Sequence, residues 1–304
     1  MAFSGMSCGS PIAIAALKGY YAEEGLKVNL VSGTTFEAQQ AALAAGKMPV
    51  INGDYQFFPA INSGFDIKLI SGLHEGCIKV LVPIDSPIKS AADLKGKSVI
   101  VDAIDGSPMM VASVAAGNAG LNPGIGGDIT WKPFPWDQLI QAMDKGEGDV
   151  VALWEPFATM AEKSGRYRVL IDITKDPIFA NRNCCFIFAS GKLIKDNPED
   201  VAKILRAIQK GIEWVSKHPH ETAELLIEKK KIASDDVDFV SDLLESYNYG
   251  AYYGRASIIA AKLDAEYFTA ELKKYGFLPV DLDVEKFVDN TFVDIFSPAA
   301  KKTK

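Results

Sequence analysis

Short apolar runs alternate with helix-like stretches over the first two thirds of the chain. Such alternation is typical of βαβ units and predicts mostly parallel sheets. The runs that we expect to be strands are Val28–Val31, Val50–Ile51, Ile67–Ile70, Ile78–Val82, Val99–Val101, Val150–Leu153 and Val169–Ile171. From about residue 197 to about residue 296 the pattern changes to a helical period. One face of its first helix carries Val201, Ile204, Leu205, Ile208 and Ile212. The pattern predicts an α/β protein with a helical C-terminal third.

Two segments of the chain resemble each other about 100 positions apart. Gly9-Ser10-Pro11 follows the first expected strand, and Gly106-Ser107-Pro108 follows the strand at Val99–Val101, 97 positions later. The helix-and-strand segment 40–50 resembles 141–150, and Asp54 corresponds to Trp154 at an offset of 100. We interpret the repeat as two similar α/β lobes. A chance likeness between two βαβ units is the alternative.

Composition and charge narrow the classes of function. The chain has 304 residues, which at roughly 150 per domain predicts about two domains. Its apolar fraction of 48% and charged fraction of 23% are those of an ordinary globular protein with a large core. The net charge is 32 minus 39, or −7. Because nucleic acids and anionic membranes attract clustered Lys and Arg, we expect no nucleic-acid partner.

The sequence carries no membrane-spanning or export pattern. No stretch approaches 18 consecutive apolar residues, so no transmembrane helix is predicted. The first six residues lack the basic region and the long apolar region of a signal peptide. They have instead the pattern of a strand interior that starts directly after Met1. We therefore expect that an export signal has been removed from the natural N-terminus.

Hydroxyl, aromatic and carboxylate side chains collect where the expected strands end. Ser10 and Ser107 have the position of helix N-caps followed by Pro at the first helical position, and Thr34 with Glu37 has capping-box spacing. Open α/β sheets bind ligands outside the carboxyl ends of their strands, and helix N-termini there favour an anion. The predicted small-molecule site is formed by Cys8–Ser10, Gly33–Thr35, Asp54–Tyr55, His74–Cys77, Asp105–Ser107, Trp154–Glu155 and Asn183–Cys184.

Thiols and an imidazole at strand ends leave a metal site as an alternative. Soft metal ligation would suit the residues concerned, which are Cys8, His74, Cys77 and Cys184. His74 and Cys77 form only an H-x-x-C pair, so we interpret these residues as ligand contacts or packing and predict neither metal nor cofactor. A catalytic thiol with His74 as its base is supported by no motif. Cys184 and Cys185 point to opposite faces of one strand, so at most one of them faces a ligand.

One segment of the sequence resembles an element of a known protein family. Lys18 to Val28 has the form K-G-aromatic-aromatic-x-x-E-G-L-x-V. Further matching elements are Ala42–Gly46, Ile88–Lys97 and Trp154–Phe157. In these elements, over about residues 1–220, the chain resembles the solute-binding proteins of bacterial ABC importers. The branch concerned serves nitrate, alkanesulfonates, taurine and thiamine-pyrimidine precursors.

The resemblance implies a type II periplasmic-binding fold, in which two α/β lobes joined by crossover strands close over a ligand. One lobe would contain residues 1–82 and 189–304 and the other residues 83–188, with hinge strands near 80–83 and 185–189. The ligand contacts that the family implies for this chain would be Ser10, Thr34, Thr35, Asp54, Tyr55, His74, Ser107, Trp154, Glu155 and Asn183. We add Cys8, which directly precedes Gly9-Ser10, to this set. Cys8 and the segment His74–Cys77 depart from the sulfonate and nitrate members, which leaves the ligand open.

The resemblance also implies a function. We expect an extracytoplasmic, non-enzymatic solute-binding protein that captures a small organic anion, such as a sulfonate or carboxylate, and delivers it to an ABC permease. We expect a monomer that meets the membrane only through a lipid anchor or the permease. Three alternatives stay open: a binder of a nitrogen heterocycle such as a pyrimidine precursor, an enzyme of the same fold that uses Cys and His, and a sensory binding domain.

Overall fold

The computed structural model describes residues 1, 3, 5–31, 36–232, 234–251 and 254–297, without the side chain of Glu37. The predicted contacts Thr34 and Thr35, and with them the capping box, lie outside the described residues. The strands are β1 (Val50–Asp54), β2 (Ile67–His74), β3 (Ile78–Pro83), β4 (Ser98–Val101), β5 (Thr130–Pro133), β6 (Val150–Trp154), β7 (Tyr167–Asp172) and β8 (Cys185–Ser190).

Helices occupy most of the remaining described chain. They are α1 (Ser10–Leu17), α2 (Tyr20–Glu23), α3 (Phe36–Ala44), α4 (Phe57–Asn62), α5 (Ser107–Asn118), α6 (Leu139–Asp144), α7 (Phe157–Lys163), α8 (Gly191–Asp196), α9 (Pro198–Lys217), α10 (Pro219–Glu228), α11 (Val237–Ser246), α12 (Gly254–Lys274) and α13 (Val284–Thr291). Short 3₁₀ turns lie at Ser7–Gly9, Ala91–Leu94 and Tyr249–Ala251.

The chain forms two compact units. The first contains Met1–Glu75, Arg182–Glu266 and the chain from Asp283 onward, and the second contains Gly76–Asn181 and Tyr267–Leu282. The chain changes unit at residues 76, 182, 267 and 283, whereas the resemblance placed two boundaries, at 83 and 189, within β3 and β8. An apolar run predicts a strand but does not say which sheet the strand joins, so the sequence offered no means of placing these boundaries.

The first unit holds a three-stranded sheet in the order β1-β8-β2. The central strand β8 is antiparallel to both neighbours, and all six of its residues are buried. The helix-linked strands β1 and β2 therefore run in the same direction, as a βαβ unit requires, with β8 inserted between them. The expectation of a mostly parallel sheet is wrong here because the inserted strand comes from a distant part of the sequence.

The second unit repeats this arrangement in a larger sheet, in the order β5-β4-β6-β3-β7. Strand β4 is parallel to β5 and β6, whereas β3 is antiparallel to β6 and β7. An inserted antiparallel strand again separates two strands linked by a helix, here α7. Among the strand-to-strand pairings of the described chain, parallel pairs occur only at β4, and an isolated parallel bridge joins Leu69 of β2 to Phe292.

The internal repeat corresponds to matching elements. Helices α1 and α5 begin at Ser10 and Ser107, and the five-residue strands β1 and β6 end at Asp54 and Trp154. The expected strand at Val28–Val31 is not a strand in the described chain. At this segment the Val31 N–H donates to the Met1 carbonyl at 2.8 Å and the Val31 carbonyl accepts from the Phe3 N–H at 2.9 Å. The Asn29 carbonyl accepts from the Met1 amino group at 2.8 Å.

The helical C-terminal third is confirmed. The apolar face predicted for α9 is buried, and it packs on α1. The contact is close because a Cβ at Gly211 would lie 2.3 Å from the carbonyl oxygen of Pro11, a distance that leaves room only for glycine. No helix of the described segments is both long and apolar enough to span a membrane.

Candidate functional site

Strand register brings several predicted site residues to one end of the first unit's sheet. Cys185, the first residue of β8, lies opposite Asp54 on β1 and opposite His74 on β2. Cys8 lies in the 3₁₀ turn directly before α1. The Sγ atoms of Cys8 and Cys185 and one ring nitrogen of His74 lie within 4.8 Å of one another. A sheet end and a helix start therefore meet in a cluster of two thiols and an imidazole.

The His74 ring is wholly buried and held on several sides. Its Nδ1 lies 2.5 Å from the backbone carbonyl of Glu75, and its ring centroid lies 4.8 Å from that of Tyr247 and 5.2 Å from that of Tyr249. Its Nε2 is buried and has no hydrogen-bond partner among the described residues. Burial lowers the pKa of His74, but the charges of Cys185 and Cys8 outweigh burial and raise that pKa to about 10.

Two tyrosines from the C-terminal third fix the backbone around Cys8. The Tyr249 hydroxyl donates to the carbonyls of Ser7 and Cys8 at 3.1 and 3.0 Å, and the hydroxyls of Tyr247 and Ser7 are 2.6 Å apart. Asn52 Nδ2 donates to Cys8 Sγ at 3.9 Å. Sequence reasoning did not include these tyrosines in the site. Their only signal was an aromatic run in a helical region, which is equally typical of packing.

The other predicted residues of this sheet end are buried and make local contacts. Asp54 accepts hydrogen bonds from the backbone N–H of Gln56 at 2.8 Å and from its side-chain amide at 3.3 Å. Tyr55 is only 2% exposed. The carboxylate of Asp54 thus begins the turn that leads into α4, and its part in ligand binding stays a prediction.

Asn183 connects β2 to α12 within the first unit. Its Oδ1 accepts from the N–H of Leu73 at 3.1 Å, and its own backbone and side-chain N–H groups donate to Asp264 at 2.8 and 2.7 Å. A Cβ at Gly72 would lie 2.1 Å from Asn183 Oδ1, so glycine makes room for this clamp. Burial raises the pKa of Asp264, although the hydrogen bonds from Asn183 counteract it. No local sequence signal pointed to Asp264.

Both Gly-Ser-Pro segments begin helices, but their serines are not the N-caps. Gly9 and Gly106 are the capping residues of α1 and α5, and neither helix has a side-chain cap hydrogen bond. Ser10 Oγ donates instead to the carbonyl of Ser7 at 2.6 Å. The preference of Ser for the capping position is overridden because Ser10 is already helical, following directly on the 3₁₀ turn. The N-cap residue of either helix, a glycine, therefore supplies no side-chain cap to the first-turn N–H groups.

In the second unit, Trp154 is paired with a carboxylate that sequence reasoning missed. Trp154 Nε1 donates to Asp102 Oδ2 at 3.0 Å, whereas Asp102 Oδ1 is buried without a hydrogen-bond partner among the described residues. Burial raises the pKa of Asp102, and the hydrogen bond from Trp154 counteracts part of that rise. Asp102 directly follows β4, so its position at a strand end was the available signal.

Glu155 belongs to a buried ion-pair network of the second unit. Its carboxylate lies 3.2 Å from Lys79 Nζ and accepts from the hydroxyl and N–H of Thr159 at 2.7 and 2.9 Å. Lys79 also contacts Glu162 at 2.9 Å. The Glu155 side chain is only 4% exposed. This carboxylate thus has an ion pair and two hydrogen bonds within its own unit, and its part in ligand binding stays a prediction.

The cysteines that the structure places beside His74 differ from those of the metal site considered from the sequence. Cys185, not Cys184, joins Cys8 and His74, because Cys185 is the residue in register with β2. Cys184 precedes β8, and its N–H donates to the carbonyl of His74 at 2.9 Å. Cys77 belongs to the second unit, as do Ser107, Trp154 and Glu155. No disulfide links the four cysteines.

Comparison with known proteins decides the family. The model of the NMT1/THI5-like family matches residues 9–222. The chain belongs to this family. A Bacillus subtilis (strain 168) protein to which aliphatic sulfonate binding is assigned is 25% identical over 292 residues, which cover 93% of this chain and 84% of that protein.

Solved structures agree on the fold of this NMT1/THI5-like protein. The periplasmic aliphatic sulphonate-binding protein SsuA from Escherichia coli is similar with a TM-score of 0.72 and 18% identity, covering 94% of this chain and 89% of that one. The periplasmic nitrate-binding protein NrtA from Synechocystis PCC 6803 gives a TM-score of 0.77 and 16% identity, covering 99% and 87%. The fold expected from the resemblance, that of periplasmic binding proteins, is confirmed.

Proposed function

We propose that this chain is the extracytoplasmic solute-binding protein of an ABC importer and captures a small organic anion of the sulfonate or carboxylate class. Capture would take place in the cleft between lobes that the family resemblance implies, and the loaded protein would deliver the anion to a permease. One observation carries the proposal: a repeated Gly-Ser-Pro segment begins α1 and α5 in two similar units, and the N-cap residue of both helices is a glycine, which supplies no side-chain cap.

The helix starts supply the chemistry that an anion requires. The first N–H groups of a helix have no partner within the helix, and they carry part of the positive end of the helix dipole. An oxyanion such as a sulfonate can accept hydrogen bonds from several of them. The aliphatic sulfonate binding assigned to the relative from Bacillus subtilis supports the same class of ligand.

A carrier fits the buried carboxylates better than an enzyme does. Glu155 is neutralised by Lys79, and Asp54 is occupied by Gln56. A general acid or base has to exchange protons with a substrate, which such committed carboxylates are poorly placed to do. We therefore propose binding without turnover, by a monomer that meets the membrane through its permease or a lipid anchor.

A matched series of small molecules tests the class of ligand. We would measure the thermal unfolding of the purified chain with butanesulfonate, butanoate, butanol and butylamine, which share an alkyl group and differ in the head group. The sulfonate or the carboxylate should stabilise the fold, by about 2.7 kcal/mol at 100 times its Kd. Stabilisation by butanol alone or butylamine alone would contradict the proposal, and so would stabilisation by none of the four.

A nitrogen heterocycle is the second candidate, and Asp102 is the observation that favours it. Asp102 Oδ1 is a buried acceptor without a partner in the described chain, next to the indole of Trp154. A ring N–H would satisfy that oxygen while the heterocycle stacked on the indole. Binding of an aminopyrimidine that is lost in Asp102→Ala, with no response to butanesulfonate, would favour this candidate over the first.

A further inference from the structure

We propose that Cys8, His74 and Cys185 of the first unit bind one soft metal ion, for which Zn²⁺ is the probe. This inference goes beyond solute capture and does not depend on it. Two thiolates and one imidazole are a donor set that suits Zn²⁺ or Cu⁺ and disfavours Mg²⁺ or Ca²⁺, which require oxygen ligands. Three protein ligands leave one coordination position of a tetrahedral ion open to water or another donor.

The separations suit a single ion. The three ligand atoms lie within 4.8 Å of one another, so a point exists within about 2.8 Å (4.8 Å divided by √3) of all three. Bonds to Zn²⁺ are about 2.3 Å from sulfur and about 2.0 Å from nitrogen. A contraction of about half an ångström, which a small rotation of either cysteine side chain provides, completes the coordination.

The tautomer of His74 is the second, independent observation. The Glu75 carbonyl can only accept a hydrogen bond, so Nδ1, at 2.5 Å from it, is the donor. A metal ion that displaces the proton from Nε2 then binds the lone pair of that nitrogen. This nitrogen is wholly buried and has no hydrogen-bond partner among the described residues. An N–H donated to a backbone carbonyl, with the other nitrogen left to the metal, is the usual support of a metal-bound histidine.

The surroundings hold the three ligands in place. Asn52 donates to Cys8 Sγ at 3.9 Å, which favours the thiolate. Tyr249 fixes the carbonyls of Ser7 and Cys8, and the rings of Tyr247 and Tyr249 pack against His74. Cys185 lies in the central strand of the sheet and is 2% exposed. Such support keeps donor atoms close together without a disulfide.

The experiment uses the full chain, kept reduced and stripped of metal with a chelator, in the absence of any organic solute. Zn²⁺ would be titrated in competition with a chromophoric chelator. Co²⁺ would be added separately, because thiolate ligation gives it a strong charge-transfer band in the near ultraviolet. We expect one equivalent of Zn²⁺ per chain, and a Co²⁺ band whose intensity reports two thiolates.

Single variants separate this cluster from the other thiols. Cys8→Ser, Cys185→Ser and His74→Gln should each weaken Zn²⁺ binding by at least about 100-fold, since even outer partners of a metal site are worth about 10- to 100-fold. The matched control is Cys184→Ser, which removes the neighbouring thiol and should leave affinity and the Co²⁺ band unchanged. Circular dichroism of each metal-free variant would show that it is folded.

Three outcomes would overturn the assignment. The first is a folded, fully reduced chain that binds no Zn²⁺. The second is loss of binding in Cys184→Ser while Cys8→Ser still binds. The third is a Co²⁺ complex without the thiolate band. If one of these variants does not fold, Asn52→Ala is measured in its place. This variant should keep the Co²⁺ band but bind the metal about 10-fold more weakly. An unchanged affinity would count against the site.

Discussion

Helices α1 and α5 start from the same Gly-Ser-Pro signal in two similar units, yet they have different neighbours. Beside the start of α1 lie Cys8 and His74, whereas beside the start of α5 lie Asp102 and the indole of Trp154. Both helices have a glycine N-cap and no side-chain cap. The repeated segment therefore specifies backbone geometry, and the strand ends around it supply the chemistry that differs between the units.

The two units also stabilise a predicted site residue in different ways. In the first unit, Asn183 donates two N–H groups to the carboxylate of Asp264, and Arg182 lies 3.6 Å from that carboxylate. In the second unit, Glu155 is held by the closer cation of Lys79, at 3.2 Å. A buried charge that loses its counter-ion costs more than a carboxylate that loses a neutral donor. We therefore expect the second unit to be the more sensitive to a single substitution.

Removal of Lys79, the counter-ion of Glu155, should give the largest loss of stability. Lys79→Met leaves the 4%-exposed Glu155 side chain without its cation and should lower the free energy of unfolding by about 3 to 5 kcal/mol, measured by urea denaturation. The control is Glu162→Gln, which removes only the half-exposed partner of Lys79 and should cost at most about 1 kcal/mol. Equal effects of the two variants would contradict the ion-pair interpretation.

A smaller effect distinguishes the packing of α1 from that of α5. Gly211→Ala would bring a Cβ to 2.3 Å from the Pro11 carbonyl, which is backbone of α1, and should cost about 1 to 3 kcal/mol. Gly117→Ala on α5 would meet the ring of Tyr275 at 2.0 Å. This ring can turn aside, and Ala favours a helix over Gly, so the net change should be below about 1 kcal/mol. Thermal unfolding of the two variants compares their losses of stability. A larger loss for Gly117→Ala than for Gly211→Ala would contradict the prediction.

The smallest effect concerns pH and the strand end beside α5. Burial raises the pKa of Asp102 in the folded state above its unfolded value. The protonated form is therefore favoured by folding, and this contribution is full below the unfolded pKa and is lost as pH rises through the folded pKa. Asp102→Asn removes the dependence, so it should stabilise the protein more at pH 7 than at pH 3, measured by urea midpoints at both values. If Asp102→Asn stabilised the protein more at pH 3 than at pH 7, the pKa of Asp102 would be lowered by folding, and burial could not be its main determinant.

These comparisons show how far local sequence patterns reach. Six of the seven expected strands, the amphipathic α9 and the repeated helix starts were predictable because each depends on neighbouring residues. The choice of Cys185 over Cys184 was not, since it depends on the register of β8 against a strand more than 100 residues away. Asp264 and Tyr249 were missed for the same reason, because both reach the site from the helical C-terminal third.

Isothermal titration calorimetry of a short alkanesulfonate, with the natural chain and with Gly106→Ser, tests the central claim of anion capture at uncapped helix starts. The new hydroxyl would cap α5 and compete with the ligand for its first N–H groups. The backbone of Gly106 is extended, and the new Cβ would lie 3.1 Å from Asp102 Oδ1, so that side chain has to shift by a few tenths of an ångström. We predict one site per natural chain and at least about 10-fold weaker binding in the variant, or about 1.4 kcal/mol. Equal affinities, or no binding to the natural chain, would contradict the account.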